Sequence, residues 1–404
     1  MSEFIYRKLM EAYFRARASK RNSSSQLNFE VDLESHIFLL HQQVIGKTYQ
    51  PSMAKAFVIN KPVFREVFAP DFRDRIIHHF IYHYLYPQME KKLITDTYSC
   101  RNKKGTHYGV KRASYFLKRV TNHYTDSAYV LKLDITGYFM NIRHDTLLDN
   151  TMRILELEKL NITTLEKDIL KYLIKIVIFH DPTENYVLQG SPSDWKHIPN
   201  NKSLFGTSKG CGLPIGNLTS QLFGNIYLND LDHYIKKDLN IKYYGRYVDD
   251  LVLMDRCKYK LKSVIRDISI QLNALGLQLH PSKIYLEHYT KGFYFLGQYV
   301  KPYCMYIGNR TKQKLFELSL WLKRKYSGTY LITDTIIKET LSKVNSYLGI
   351  LSHANTYSLV LNFKSECPIL LFNYFDFVFK NARHILKLKR EFKHMIKYSS
   401  YTYL

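Results

Sequence analysis

The stretch Ile241-Lys-Tyr-Tyr-Gly-Arg-Tyr-Val-Asp-Asp-Leu-Val-Leu-Met254 places two adjacent carboxylates, Asp249 and Asp250, inside an otherwise apolar run. Since β-branched and aromatic residues flank the acids on both sides, the pattern predicts a strand, a tight turn and a second strand, with the acids at the turn. Taken alone, the segment is better explained as a solvated Asp-Asp turn. Two anions so close repel each other unless a cation lies between them, so the rest of the chain decides between these interpretations.

The composition is that of a folded, strongly basic protein. Its 404 residues are 46% hydrophobic, enough for a large core and about two or three packed subdomains. An excess of 59 Lys and Arg over 35 Asp and Glu gives a net charge of +24, which favours a polyanionic partner, nucleic acid first. The chain has no apolar stretch of membrane-spanning length and no signal peptide core, so we expect a cytoplasmic protein without a membrane partner. Five scattered cysteines form no Cys-x-x-Cys pair for zinc or redox chemistry.

A second apolar run, Ala128-Tyr-Val-Leu-Lys-Leu-Asp134, also ends on a carboxylate. If this strand end lies beside the Asp249-Asp250 turn, three carboxylates converge. Carboxylate oxygens are the ligands that Mg²⁺ prefers, and a pair of such ions serves in-line phosphoryl transfer. The sequence therefore predicts Asp134, Asp249 and Asp250 as catalytic metal ligands for two Mg²⁺ ions.

The pattern of apolar and polar residues predicts the remaining elements in outline. Two helices are expected within residues 1–50, and a long strand over residues 277–288. Residues 181–212 carry Pro, Gly, Asn and Ser throughout, which predicts an inserted loop or β-excursion on the surface. The last hundred residues are predicted to be helical, and residues 380–397 hold seven Lys or Arg and one Glu.

From roughly residue 55 to residue 355, the chain resembles a reverse transcriptase. Tyr247-Val-Asp-Asp250 is similar to the tetrad at the polymerase turn of that family, and Asp134 is similar to its first metal ligand. The resemblance implies an α+β fold of right-hand polymerase architecture: fingers, a palm with an antiparallel sheet and helices behind it, and a helical thumb. The implied divisions are a basic helical N-terminal extension (1–53), fingers (54–125), a palm (126–304) with the inserted loop 181–212, and a helical basic thumb with the C-terminal tail (305–404).

The resemblance also implies roles around the reacting phosphates. The carbonyl of Ile135 would be a further metal ligand, and Lys283, in Gly276-Leu-Gln-Leu-His-Pro-Ser-Lys283, would lie near the pyrophosphate and protonate it. Phe139 matches the aromatic gate that blocks a ribonucleotide 2′-hydroxyl, although it could equally be a core aromatic. Arg65, in the segment Pro62–His78, matches the residue that grips the incoming triphosphate, for which guanidinium geometry is suited.

Nucleic-acid contacts are implied at several further positions. Arg75 is a second basic candidate, with a surface pair to Asp74 as its alternative. The segment Tyr98–Gly105 resembles the template-side loop of the fingers, with a charged, solvated turn as the equal alternative. Phe295-Leu-Gly297 resembles the start of the primer grip. The residues implied to contact nucleic acid are Arg75, Arg101, Lys103, Tyr247, Phe295, Leu296 and Gly297.

The motif Gly212-Leu-Pro-Ile-Gly-Asn-Leu-Thr-Ser-Gln221 distinguishes subgroups within the family. Most members place Gln where this chain has Ile215, and intron-encoded enzymes end the motif in Ser-Pro rather than Ser220-Gln221. Both departures resemble the enzymes of diversity-generating retroelements, which copy a template RNA with errors at adenines. Ile215, Gly216 and Gln221 would then line the dNTP site.

That subgroup implies several partners: a template RNA, the RNA/cDNA duplex, dNTPs and a small basic accessory protein. A phage-defence reverse transcriptase is the alternative within the family. A non-catalytic RNA-binding scaffold is the alternative from another class, and three buried unpaired anions argue against it.

Overall fold

The computed structural model describes residues 2–18, 20–60, 63–157, 162–328, 331–381 and 383–399. The chain forms two compact units, one from residues 1–105 and 129–286 and the other from residues 106–128 and 287–404. The predicted boundaries of extension, fingers, palm and thumb differ from these divisions and stay a prediction. Pro62, which begins the predicted fingers segment, lies outside the described residues, as do residues 400–404 of the predicted tail.

The predicted α+β class is confirmed. In chain order, the described α-helices are α1 (Ser2–Ala18), α2 (Ser24–Val31), α3 (Leu33–Ile45), α4 (Phe72–Lys92), α5 (Thr106–Val120), α6 (His144–Leu157), α7 (Thr164–Phe179), α8 (Leu218–Tyr227), α9 (Asn229–Lys237), α10 (Lys258–Ala274), α11 (Asn309–Lys325), α12 (Asp334–Leu351), α13 (Tyr357–Ser365) and α14 (Leu371–Tyr374). The described strands are β1 (Ala54–Ile59), β2 (Arg65–Ala69), β3 (Tyr129–Asp134), β4 (Tyr186–Leu188), β5 (Tyr243–Tyr247), β6 (Asp250–Asp255), β7 (Tyr285–His288), β8 (Phe293–Phe295), β9 (Gln298–Lys301), β10 (Cys304–Ile307), β11 (Phe375–Lys380) and β12 (Arg383–Leu388). Among the described helices, none combines the length and apolar character that crossing a bilayer requires.

The central four-stranded sheet has the order β5-β6-β3-β7. β6 pairs antiparallel with both β5 and β3. The four consecutive residues Leu251–Met254 of β6 are fully buried, so both faces of this strand are covered. A strand covered on both faces needs a continuous apolar run rather than an alternating one, which explains the sequence pattern after Asp250.

A buried ion pair joins this sheet to α9. Arg246 of β5 and Asp232 of α9 are both 0% exposed, with Arg246 Nη2 2.6 Å from Asp232 Oδ2 and Nε 2.8 Å from Oδ1. The remaining capacity of the carboxylate is filled by the Tyr244 hydroxyl at 2.5 Å and the Thr97 hydroxyl at 3.3 Å. A bidentate, fully hydrogen-bonded pair of this kind fixes the register of the helix against the sheet.

A smaller sheet carries the predicted fingers strands. β1 pairs antiparallel with β2, and β4 adds to β1 in parallel. Residues 181–212, predicted to be a loop or β-excursion, therefore contribute a strand to this sheet, followed by short 3₁₀ turns at Pro192–His197, Asn200–Lys202 and Leu204–Gly206.

The second unit corrects the prediction that the last hundred residues are helical. β11 and β12 form an antiparallel hairpin, and residues 390–399 form a 3₁₀ helix rather than an α-helix. The apolar residues of Phe375-Asp-Phe-Val-Phe-Lys380 recur mostly at every second position, a strand period, while the charge count of residues 380–397 says nothing about helix or strand.

Two further predictions of secondary structure were wrong. The described residues before position 50 form three helices rather than two, because Ser23 caps a separate helix, α2, within the polar stretch Lys20–Gln26. The strand predicted over 277–288 is reduced to β7, because Pro281 begins a 3₁₀ turn.

We predict that Arg246→Met lowers the free energy of unfolding by about 3 to 5 kcal/mol, because it leaves the Asp232 carboxylate buried without a counter-charge. Arg153→Met is the matched control, since Arg153 pairs with Asp230 across 3.0 Å at an exposed position, where a pair contributes less than about 1 kcal/mol. Urea unfolding of both variants measures the difference. Equal losses in the two variants would contradict the special weight given to the buried pair.

Candidate active site

The turn between β5 and β6 carries Asp249 and Asp250. Val248 takes a left-handed backbone conformation, with φ of 55°, which a β-branched residue adopts only when its surroundings impose it. Arg246 supplies that constraint, because its Nη1 donates to the Val248 carbonyl oxygen at 3.0 Å while Asp232 holds the rest of the guanidinium. The acids therefore lie at a turn held from inside the protein.

The end of β3 lies directly beside this turn. Asp134 is the register partner of Asp250 in the β3–β6 pairing. The next residue, Ile135, is buried and donates its backbone N–H to the Asp249 carbonyl oxygen at 3.2 Å. The structure thus brings together the four residues predicted to bind metal, from two segments far apart in the sequence.

The electrostatics of the turn are those of crowded anions. Burial, with Asp250 and Asp134 adding to it, raises the pKa of Asp249 to about 6. Burial also raises the pKa of Asp250. In the described part of the chain, neither carboxylate has an ion-pair partner within 4 Å, so a cation bound here would relieve their repulsion.

Two lysines lie close to these acids. Lys283, predicted to be catalytic, donates its Nζ to Asp134 Oδ1 at 2.8 Å and to Oδ2 at 2.9 Å. Lys132 was not predicted. Burial lowers the pKa of Lys132, while Asp250 and Asp134 act in the opposite direction. The sequence Lys132-Leu-Asp134 could have predicted that Lys132 lies on the same face of the strand as Asp134, since residues two apart in a strand share a face.

The donor set at the turn fits a hard divalent cation. Asp249 and Asp250 offer carboxylate oxygens, the ligand type that Mg²⁺ prefers. Among the residues that the structure describes, however, no group of three or more His, Cys, Asp or Glu side chains is assembled to hold one metal ion. Both oxygens of Asp134 are occupied by Lys283 instead, so the three carboxylates share a location without forming a finished cluster.

The residues predicted to bind dNTP lie on several elements of the same unit. Arg65 begins β2, is exposed, and has no ion-pair partner among the described residues. Phe139 is partly buried, and a Cβ added to Gly224 of α8 would lie 3.1 Å from its ring, so the ring lies against that helix. Ile215 is partly buried, and its carbonyl oxygen accepts the Phe68 N–H at 3.0 Å. Gly216 and Gln221 are both exposed.

Gly216 is confined to glycine by its surroundings. Its φ is 130°, and an added Cβ would lie 2.7 Å from the Phe68 carbonyl oxygen. β2 therefore runs close against the start of α8, and a larger residue at position 216 would separate them.

The nucleic-acid role predicted for Arg101 is wrong. Arg101 is buried, and its guanidinium pairs bidentately with Glu90, at 2.8 and 2.7 Å, and also donates to the carbonyl oxygens of Ile94 and Thr97. With its donors committed in this way, Arg101 holds the chain that follows α4. Its neighbour Lys103 is exposed, at a φ of 60°, and keeps the predicted role as a proposal.

The alternative considered for Arg75 is also wrong. Asp74 is paired with Arg73 and with the Tyr49 hydroxyl, not with Arg75. Arg75 is partly buried, and that burial lowers the pKa of its guanidinium. Tyr247 is partly buried too, and burial raises the pKa of its phenol while the charge of Arg65 opposes that shift.

In the second unit, the predicted primer-grip residues lie at the end of β8 and in the turn to β9. Phe295 is 1% exposed, so its ring packs in the core, and its predicted contact with nucleic acid stays a prediction. Leu296 and Gly297 follow with φ of 47° and 88°. Their backbone at the turn stays a proposed contact.

Comparison with known proteins bears on residues 59–300, which match the family model described as reverse transcriptase (RNA-dependent DNA polymerase). The chain is similar to Protein YkfC of Escherichia coli (strain K12), with 23% identity over 294 residues, 64% of this chain and 69% of that protein. Among solved structures it is similar to apo telomerase from Candida tropicalis truncated from its C-terminal domain, at 15% identity and a TM-score of 0.46, covering 63% of this chain and 55% of that one. Telomerase from Candida albicans with a fragment of telomeric RNA is similar at 13% identity and a TM-score of 0.45, covering 86% and 62%. The chain spans less than two thirds of the length of these telomerase chains.

We predict that Asp249→Asn stabilises the protein at pH 7.5 in chelator-treated buffer, by roughly 1 to 3 kcal/mol. The raised pKa of about 6 means that the folded wild type binds the Asp249 proton more tightly than the unfolded chain does. Wild-type stability is therefore lost as pH rises from about 4 through about 6, and the variant escapes this loss.

Urea unfolding at pH 4 and pH 7.5 measures this effect. The two proteins should differ at pH 7.5 and converge near pH 4. Asp238→Asn, at an exposed position of the same unit, serves as the control and should be neutral at both pH values. A variant that is less stable than wild type at pH 7.5 would contradict the raised pKa of Asp249 and the burial and repulsion that cause it.

Proposed function

The chain belongs to the reverse transcriptase (RNA-dependent DNA polymerase) family, and we propose that it copies RNA into DNA at the turn that carries Asp249 and Asp250. The observation that carries this proposal is the register of the central sheet. Asp134 lies opposite Asp250, and the Ile135 N–H is bonded to the Asp249 carbonyl oxygen, so strand end and turn form one acidic edge. A net charge of +24 favours a nucleic-acid substrate at that edge.

Asp134, Asp249, Asp250 and the Ile135 carbonyl would hold two Mg²⁺ ions there. When bound, such ions activate an attacking 3′-hydroxyl and neutralise charge on the leaving pyrophosphate. Asp249 and Asp250 fit this role because they lie at the turn without an ion-pair partner within 4 Å in the described part of the chain.

The basic residues around the acids would handle the phosphates and the proton. Lys283 Nζ lies 2.8 Å from Asp134, which places its amine beside the acidic edge, where it can donate to the leaving pyrophosphate. Lys132, from the same strand as Asp134, adds positive charge behind the turn. Arg65, exposed at the start of β2, is available for bidentate contact with the triphosphate.

We predict that Asp249→Ala reduces dNTP incorporation on a primed RNA by on the order of a thousandfold, because it removes a metal ligand used in the transition state. Asp238→Ala is the matched control, with an exposed acid of the same unit, and should keep wild-type rates. Primer extension with Mg²⁺ is the measurement. Undiminished incorporation by Asp249→Ala would refute this mechanism.

We further propose that the enzyme is the error-prone polymerase of a diversity-generating retroelement. Ile215 supports this assignment, because it stands where most family members have Gln and packs beside Phe68, Phe139 and Trp195 in an apolar cluster. An apolar side chain at this position offers no hydrogen bond to the nucleotide, so selection there depends on shape. Template RNA, RNA/cDNA duplex, dNTPs and a small basic accessory protein would be its partners.

We predict that Ile215→Gln lowers misincorporation opposite template adenines by about tenfold, since the new amide adds a polar contact at the nucleotide site. Sequencing of primer-extension products on one RNA template measures the error spectrum. Ile215→Leu is the control, because it keeps the apolar character and should keep the error rate. An unchanged error rate in the Gln variant would remove this support for the retroelement assignment.

A phage-defence polymerase is the alternative within the family. Its products would not depend on the sequence of the supplied RNA template. Product sequences that fail to follow the template in the same experiment would favour that alternative over the retroelement enzyme.

A further inference from the structure

A buried carboxylate anchors the insertion of residues 181–212 to the fingers strand β2. Glu66 is 2% exposed and lacks an ion-pair partner among the described residues. Its Oε2 accepts from Trp195 Nε1 at 2.6 Å and from the Ser203 hydroxyl at 2.7 Å, and its Oε1 accepts from the Leu204 N–H at 2.7 Å. Three donors from the insertion thus replace the water that this anion loses on burial.

The same insertion extends the fingers sheet at its other edge. The Gln189 N–H donates to the Ala56 carbonyl oxygen at 2.8 Å, and the Ala54 N–H donates to the Asn185 carbonyl oxygen at 3.2 Å. The insertion therefore holds the β1–β2 hairpin from both β1 and β2.

The far end of the insertion runs along the segment that follows Asp134. The Gly212 N–H donates to the Ile142 carbonyl oxygen at 2.9 Å, and the His144 N–H donates to the Gly210 carbonyl oxygen at 2.9 Å. Gly137 has a φ of 53°, and an added Cβ would lie 2.7 Å from the Asn201 carbonyl oxygen, so the two backbones are in close contact. The segment so held includes Phe139.

A small apolar cluster connects the insertion, the β1–β2 hairpin and the segment that follows Asp134. We call it the bridging cluster; it consists of Ala54, Ala56, Phe68, Met140 and Leu204, with Phe139, Trp195 and Ile215 packed against it. The insertion supplies Leu204 and Trp195, while Phe139 and Ile215 are predicted nucleotide-site residues. Because the cluster is closely packed, movement of the insertion would displace both Phe139 and Ile215.

We propose that the insertion 181–212 positions the nucleotide site, with Glu66 as its anchor, and so sets the choice between deoxyribonucleotides and ribonucleotides. This inference rests on the proposed polymerase function. Glu66 and Arg65 are neighbours on one strand, so their side chains point to opposite faces. Fixing Glu66 inside the protein fixes Arg65 on the outside, and the bridging cluster fixes Phe139 at the same time. Glu66 is a positioning residue, since it reaches the nucleotide only through these neighbours.

Glu66→Gln tests the anchor, because it keeps the shape of the side chain but replaces one of the two oxygens that accept hydrogen bonds from the insertion with an NH2 donor. We expect the KM for dTTP to rise about tenfold while kcat stays within about twofold. The ratio of ribonucleotide to deoxyribonucleotide incorporation should also rise about tenfold. Trp195→Phe, which keeps a ring in the bridging cluster but removes the N–H, should shift both quantities in the same direction by a smaller factor.

Glu184→Gln is the matched control, since Glu184 lies in the same insertion and is exposed. It should leave KM and the incorporation ratio within about twofold of wild type. A loss of kcat in Glu66→Gln with unchanged KM and unchanged nucleotide choice would overturn the proposal, because it would mean only a smaller folded fraction.

A second measurement needs no primer extension. The chain has two tryptophans, so Trp321→Phe leaves Trp195 as the sole tryptophan, whose emission can be excited selectively at the red edge of the absorption band. Titration with dTTP and Mg²⁺ should change its emission, with half-saturation about tenfold weaker when Glu66→Gln is added. If dTTP leaves the Trp195 emission unchanged in a protein that extends primers, only the inference about the insertion is refuted. If dTTP changes the emission in a protein that cannot extend a primer on RNA, only the proposed polymerase function is refuted.

Discussion

The buried pair between Arg246 and Asp232 is the interaction on which the rest of the site depends. Removing two ions from water is costly, and the pair is tolerated because every strong acceptor and donor finds a partner. Asp232 accepts from Arg246, Tyr244 and Thr97. The Arg246 guanidinium also donates to the Val248 carbonyl oxygen. The buried pair therefore fixes the conformation of the turn as well as satisfying its own charges.

The same pair decides where negative charge remains. Because Arg246 is fully engaged inside the protein, it forms no ion pair with Asp249 or Asp250, although it lies only a few residues from them. Burial raises the pKa of Asp249, and the negative charges of Asp250 and Asp134 add to that shift. A turn held rigidly while its acids repel each other is suited to receive divalent cations without rearranging its backbone.

Local patterns revealed the parts of the fold that depend on nearest neighbours along the chain. The hairpin around Asp249 and the strand ending at Asp134 were predictable because apolar runs that stop on acids are visible in the sequence. Partners far apart were not predictable, since nothing in the sequence says that Asp232 faces Arg246 or that Glu66 faces Trp195. Arg101 was misassigned for the same reason: the resemblance of Tyr98–Gly105 to a template-side loop implied a nucleic-acid contact, and only the structure shows Glu90 against Arg101.

Asp232 and Glu66 show one solution used twice. Each is a buried carboxylate whose oxygens are filled by side chains or backbone from another segment, and each fixes an element that carries residues proposed to do the chemistry. Asp232 acts through Arg246 on the acidic turn, and Glu66 acts through β2 on Arg65. The two positioning acids are therefore filled by hydrogen-bond donors, whereas Asp249 and Asp250, proposed to bind metal, have no ion-pair partner within 4 Å in the described part of the chain. Hydrogen bonding, rather than residue type, separates Asp232 and Glu66 from Asp249 and Asp250.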